Sequence, residues 1–189
     1  LSDNQLSATP VAPILPPTGV TAAASPTGIT LNWNAVAGAT KYRIFRNTSS
    51  GGHVYLNEVN APATTYFDAT ATANGSTYYY VVRSNNGLDS ADSAEVFKQP
   101  INNFAFTSAT VATFSSADLT WAAAAGATGY DILWGTASGN YTGSSLNRTT
   151  PMTLTGLTAS TTYYVVIRAK NSIGGGTTVL SNERTFTTG

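Results

Sequence analysis

The 189-residue chain has no cysteine and a single histidine, and only 10% of its residues are charged. Without cysteine, no disulfide can staple the fold and no thiolate can act as nucleophile or metal ligand. One histidine, His53, cannot build a zinc site alone, because such sites draw on several His or Cys ligands. Nine basic and nine acidic residues cancel to a formal net charge of zero. That leaves no basic stripe for phosphate contacts, so nucleic acid is excluded as a partner, and it argues against a polybasic membrane anchor. No apolar run approaches the roughly 20 residues of a membrane span. The alanine run 122–125 is too short to nucleate a helix, and Gly126 and Gly129 follow it.

Hydrophobic residues, by contrast, make up 42% of the chain, and ten are tyrosines. Short alternating segments recur between Gly, Asn, Ser and Pro, which is the pattern of strands and turns. The strongest signal is an internal repeat. Gly28-Ile29-Thr30-Leu31-Asn32-Trp33, followed by Ala37-Gly38-Ala39-Thr40 and Tyr42, returns as Asp118-Leu119-Thr120-Trp121, followed by Ala125-Gly126-Ala127-Thr128 and Tyr130. A second block, Thr77-Tyr78-Tyr79-Tyr80-Val81-Val82-Arg83, returns as Thr162-Tyr163-Tyr164-Val165-Val166-Ile167-Arg168. The two tryptophans are 88 residues apart and Tyr78 and Tyr163 are 85 apart, a period that means duplicated domains rather than a solenoid.

Both copies resemble fibronectin type III domains of secreted bacterial proteins. The second copy carries the resemblance best: Leu157-Thr158-Ala159-Ser160-Thr161-Thr162-Tyr163 is similar to the family's run into strand F, with Ala159 in place of its proline. The first copy departs further, with Thr72 at the leucine position. The resemblance implies an all-β chain of two tandem seven-stranded immunoglobulin-like sandwiches, strands A, B and E facing C, C′, F and G. It divides the chain into a proline-rich tail (1–15), a first domain (16–98) and a second (99–189). Trp33, Tyr42, Trp121 and Tyr130 become core residues. Tyr78 and Tyr163 become tyrosine corners, whose hydroxyls bond back to the backbone. Strand A of the second copy is the vaguest element, beginning near Phe104 and Phe106 or in a register set by Val111.

Catalysis fails on inventory. His53 would need a nucleophile and an orienting acid, and Asp68 closes a strand where a turn-forming aspartate is common. Asp89, Ser90 and Asp92 are too few for a calcium site. No cofactor is expected. Tyr55 and Tyr141 could stack on sugar rings. Period-two alternation sends Tyr79, Val81, Arg83, Tyr164, Val166 and Arg168 of strand F outward, together with Phe45, Asp131 and Leu133 of strand C. Two readings follow. The strips are contact surfaces, or they are half-wet sheet faces with arginine stems covering apolar groups.

Pro10, Pro13 and Pro16 recur at the polyproline II period, and Val11, Ile14 and Leu15 give the tail apolar side chains able to dock beside an edge strand. The expectation is a non-enzymatic extracellular or cell-surface protein, a stalk or a fibre subunit whose tail docks on a neighbouring copy. Its partner is then itself or another surface protein. The alternative is an accessory module, binding protein or polysaccharide, of a secreted polysaccharide-degrading enzyme.

Overall fold

A computed structural model describes residues 12–189, and among these residues there is no α-helix. The first repeat supplies β1 (Thr21–Ser25), β2 (Gly28–Asn32), β3 (Lys41–Asn47), β4 (Val54–Asn60), β5 (Thr65–Asp68), β6 (Tyr78–Asn85) and β7 (Val96–Lys98). These form two sheets, β1-β2-β5 and β4-β3-β6-β7. The second repeat supplies β8 (Phe106–Thr113), β9 (Ser116–Trp121), β10 (Gly129–Gly135), β11 (Gly143–Arg148), β12 (Met152–Thr155), β13 (Thr162–Asn171), β14 (Thr177–Leu180) and β15 (Arg184–Thr187). Its sheets are β12-β9-β8 and β11-β10-β13-β14, with β15 also pairing β13. The last strand of this sandwich is therefore broken in two. Both sandwiches have the same order, a three-stranded sheet facing a larger one built on the central strands β6 and β13.

The alternation explains the cores. In β2, Ile29 and Leu31 are buried, and Trp33 just beyond the strand meets Tyr42 with ring centroids 5.4 Å apart. In the second sandwich Leu119 and Trp121 repeat this, with Trp121 and Tyr130 at 5.6 Å. Each large side chain buried this way contributes on the order of 1.5–3 kcal/mol. The tyrosines do more than fill space. The Tyr42 hydroxyl accepts from the Val36 amide at 2.8 Å and Tyr130 from the Ala124 amide at 2.7 Å, so each ring ties the turn after its tryptophan to the following strand. Strand A of the second sandwich begins at Phe106, which is fully buried, whereas Val111 is 43% exposed beyond a register shift.

Three residues expected to face solvent are buried. Val81 and Val166 are 2% and 3% exposed, and the Asp131 side chain is 1% exposed. All three lie on outer sheet faces as the alternation requires. Val81 and Val166 sit on central strands, opposite Phe45 and Leu133 respectively. A short valine opposite a longer side chain on the neighbouring strand is covered by it, whichever face it is on. Asp131 is covered by cations, described next.

Candidate interaction site

The outer face of the sheet β4-β3-β6-β7 is an aromatic patch among ion pairs. Arg43 and Arg83 stand directly opposite one another on neighbouring strands, which is unfavourable for like charges. Acids separate them. Glu58 reaches Lys41 at 2.9 Å and Arg43 at 3.2 Å, Asp89 reaches Arg43 at 3.1 Å, and Asp92 reaches Arg83 at 2.6 Å. The hydrogen bond from Lys41 holds the Glu58 carboxyl below its ordinary range. The Arg83 guanidinium lies 4.3 Å above the Phe45 ring, and Tyr55 meets the same ring edge-on at 5.8 Å. Phe45 is therefore half-buried, Tyr79 is half-buried too, and Tyr55 is the exposed member of the patch.

The corresponding face of the second sandwich is organised around Asp131. Its Oδ2 accepts from Arg168 at 2.7 Å, and its Oδ1 accepts from Lys170 at 2.6 Å and from the Asn147 amide at 3.0 Å. Burial opposes ionisation, but the bonds from Lys170, the Asn147 N–H and Arg168 outweigh it and hold the carboxyl at about 2. Tyr164 and Leu133 beside this cluster are half-buried.

Of the residues in the proline-rich segment, Val11 lies outside the described residues. Residues 12–17 lie against the first sandwich of their own chain. The Asn86 amide donates to Ala12 O at 3.0 Å, the Ser84 hydroxyl donates to Leu15 O, and the Asn34 amide donates to Thr18 O at 2.9 Å. Ala12, Pro13, Ile14 and Leu15 face the turn 36–38 and Asn86 across a shallow groove of about 420 Å³. Ile14 is half-buried, Pro17 buried and Leu15 77% exposed.

The second sandwich has the same device 87 residues later. The Asn171 amide donates to Gln99 O at 3.1 Å, the Asn102 amide to Ala125 O at 3.0 Å, and the Ala122 amide to Ala105 O at 2.9 Å. Pro100-Ile101 stands where Pro13-Ile14 stands in the first. Ile101 is fully buried against Ala124, Ala169 and Val179. The strap runs so close to the turn that a Cβ on Gly126 (φ +86°) would lie 2.1 Å from Pro100 O. An x-Pro-Ile strap thus closes one end of each sandwich, held by an asparagine at the end of strand F.

The hydroxyls that lead into strand F bond back to the backbone: Tyr78 donates to Thr72 O at 3.1 Å, and Tyr163 accepts from the Thr158 amide at 3.0 Å. Residues 100–186 match the fibronectin type III domain family. This segment is a fibronectin type III domain. Among solved structures, the chain is similar to a Fn3-like protein from Clostridium thermocellum, with 35% identity over 47% of this chain and 96% of that one and a TM-score of 0.42. It is also similar to a two-domain fibronectin type III segment of chicken tenascin (17% identity, 91% and 98% covered, TM-score 0.48) and to the FN1–FN3 domains of chicken CNTN1 (18%, 94% and 68%, TM-score 0.49).

In this fibronectin type III domain Glu183 latches the loop between strands C and C′. It accepts from the Ser138 hydroxyl at 2.8 Å, the Gly139 amide at 3.1 Å and the Tyr141 hydroxyl at 2.6 Å. Burial and then the neighbouring carboxylate push the Tyr141 hydroxyl up to about 12. The first sandwich repeats the latch 88 residues earlier: Glu95 accepts from the Ser50 hydroxyl at 2.8 Å and the Gly51 amide at 3.0 Å. His53 takes the place of Tyr141, its Nε2 lying 2.9 Å from a Glu95 carboxylate oxygen without hydrogen-bond geometry. The lone histidine is thus part of a loop latch. Asp68 does not meet it, because Asp68 is buried and caps the Thr70 amide and hydroxyl. The latch was not read from the sequence, although Ser-Gly at 50–51 and 138–139 and Ser-x-Glu at 93–95 and 181–183 repeat at one spacing. Among the described residues no three His, Cys, Asp or Glu side chains converge as metal ligands would.

Proposed function

We propose that the chain is a non-enzymatic structural and interaction protein of the extracellular space or cell surface, presenting two fibronectin type III sandwiches, 16–98 and 99–189, as rigid modules. One observation carries the reading. The acids that could have served chemistry are engaged in holding strands and loops: Asp89 and Asp92 on arginines, Asp131 under Arg168 and Lys170, Glu95 and Glu183 on loops. Charges spent this way stiffen a surface, whereas a catalytic site needs polar groups converging on an open cleft. No helix among the described residues is long and apolar enough to cross a membrane.

Co-sedimentation with insoluble polysaccharides tests the reading. The protein is expected to stay in the supernatant. Retention that disappears in Tyr55→Ala or Tyr141→Ala would instead make the chain a carbohydrate-binding accessory module.

A further inference from the structure

We propose that the strap groove of the first sandwich also accepts residues 12–17 of a second copy of this chain, so that copies associate by exchanging straps. The proposal rests on the structural reading above and adds the partner. The groove's ligand chemistry is visible in its own occupant. An extended x-Pro-Ile segment offers a carbonyl before the proline to Asn86 and a carbonyl after the isoleucine to Ser84, and its isoleucine lines the shallow groove bordered by the turn 36–38. The asparagine-to-carbonyl contact recurs on the second sandwich, from Asn171 to Gln99 O with Ile101 buried two residues on, although Ala169 stands where Ser84 does and supplies no hydroxyl. The arrangement is therefore a built site for this class of segment.

The two straps differ in how firmly they are seated. Ile101 is fully buried, whereas Ile14 is half-buried and Leu15 beside it is 77% exposed. The weaker strap is also the one on a stiff hinge. Pro16 and Pro17 have fixed φ, and each proline keeps the residue before it extended. The chain then turns at Gly19 (φ +63°), where a Cβ would collide with the Asn34 side chain. A short, stiff connection of this kind is where segments are exchanged between copies. Exchange keeps every strap contact, so it requires no new surface. Its free energy is set by the hinge and by the concentration at which a second groove competes with the chain's own.

Since the chain has no native cysteine, disulfide trapping reads the exchange directly. Full-length Ile14→Cys and Ala37→Cys chains are mixed and oxidised with glutathione disulfide. The only intermolecular pairing of strap with groove joins one chain of each kind. Exchange predicts that the heterodimer dominates over both homodimers on a non-reducing gel. It also predicts that the heterodimer falls severalfold when Asn86→Asp is added to the Ala37→Cys chain, and falls again with excess synthetic peptide Thr-Pro-Val-Ala-Pro-Ile-Leu-Pro-Pro (residues 9–17). A statistical mixture of dimers, or heterodimer indifferent to Asn86→Asp and to the peptide, overturns the proposal. A double variant carrying both cysteines in one chain keeps the test decisive, because its intramolecular disulfide shows that strap and groove are folded. Polysaccharide retention is measured separately, so failure of the exchange and failure of the structural reading are told apart.

Discussion

Position 43 in the first sandwich and position 131 in the second occupy the same place on strand C, facing outward and opposite an arginine of strand F. In one the residue is Arg43, opposite Arg83; in the other it is Asp131, opposite Arg168. The second sandwich solves the pairing directly, with a buried carboxylate under two cations and a backbone amide. The first, with two arginines face to face, recruits Glu58, Asp89 and Asp92 from strand C′ and the loop after strand F. Identical backbone geometry therefore tolerates opposite charge at one site, provided that loops supply the complement. The cost of losing the residue should differ accordingly.

The largest expected effect is that of Asp131→Ala. Removing one partner of a fully buried pair costs about 3–5 kcal/mol. Here the cations are 37% and 30% exposed and recover part of their hydration, so about 2–3 kcal/mol is expected. Amide hydrogen exchange of β10 and β13 should accelerate to match. Arg43→Ala should leave β3 and β6 protected, since Arg43 is partly solvated and its acids keep other partners: Lys41 for Glu58 and Asn85 for Asp89. Equal losses in the two sandwiches would break the contrast.

The same contrast has a pH signature. Asp131 is held at about 2 against an ordinary 3.8. A carboxyl depressed in the folded state stabilises above its unfolded value, and that contribution is lost as pH falls through the folded one. The second sandwich should thus lose roughly 1–2 kcal/mol between pH 4 and pH 2, allowing for solvent around Arg168 and Lys170. Denaturation of Asp131→Asn over this range should be flatter than wild type. An unchanged slope would mean that the pair contributes nothing net.

Much of this architecture is legible in the residue pattern. The Trp-to-Tyr spacing marks strands B and C twice, and the Tyr-Tyr blocks mark strand F. What period-two alternation does not carry is depth. It assigns Val81, Val166 and Asp131 to the outer face, but burial there depends on the lengths of cross-strand neighbours such as Phe45 and on Arg168 and Lys170. Those contacts belong to register, which a single strand does not encode. The strap is a different case. Pro13-Ile14 and Pro100-Ile101 stand 87 residues apart in plain view, yet a proline-spaced segment also fits the composition of a spacer. Only the paired bonds of Asn86 and Asn171 show that it belongs to the sandwich.

The tyrosine corners give a smaller contrast. Tyr163 accepts from a backbone amide, whereas Tyr78 donates to a carbonyl. Tyr163→Phe takes the acceptor from the Thr158 N–H, at about 1 kcal/mol. Tyr78→Phe leaves the Thr72 carbonyl still accepting from the Asn74 amide at 2.9 Å, so its midpoint shift in urea should be the lesser of the two.

The smallest effect on stability should be the most specific in spectrum. Glu183 and Glu95 latch equivalent loops, but one holds a tyrosine and the other a histidine. In Glu183→Gln the phenolate of Tyr141 no longer forms beside a carboxylate, so its ionisation should fall from about 12 back toward the ordinary 10. Burial, the larger cause, keeps it from returning fully. Absorbance titration of the phenolate band should then show one more tyrosine ionising at lower pH. Glu95→Gln should leave that titration untouched while it exposes the Gly51 amide to exchange. If both substitutions left the tyrosine curve where it was, burial alone would set the Tyr141 ionisation, and the Tyr141–Glu183 bond would be incidental to the latch.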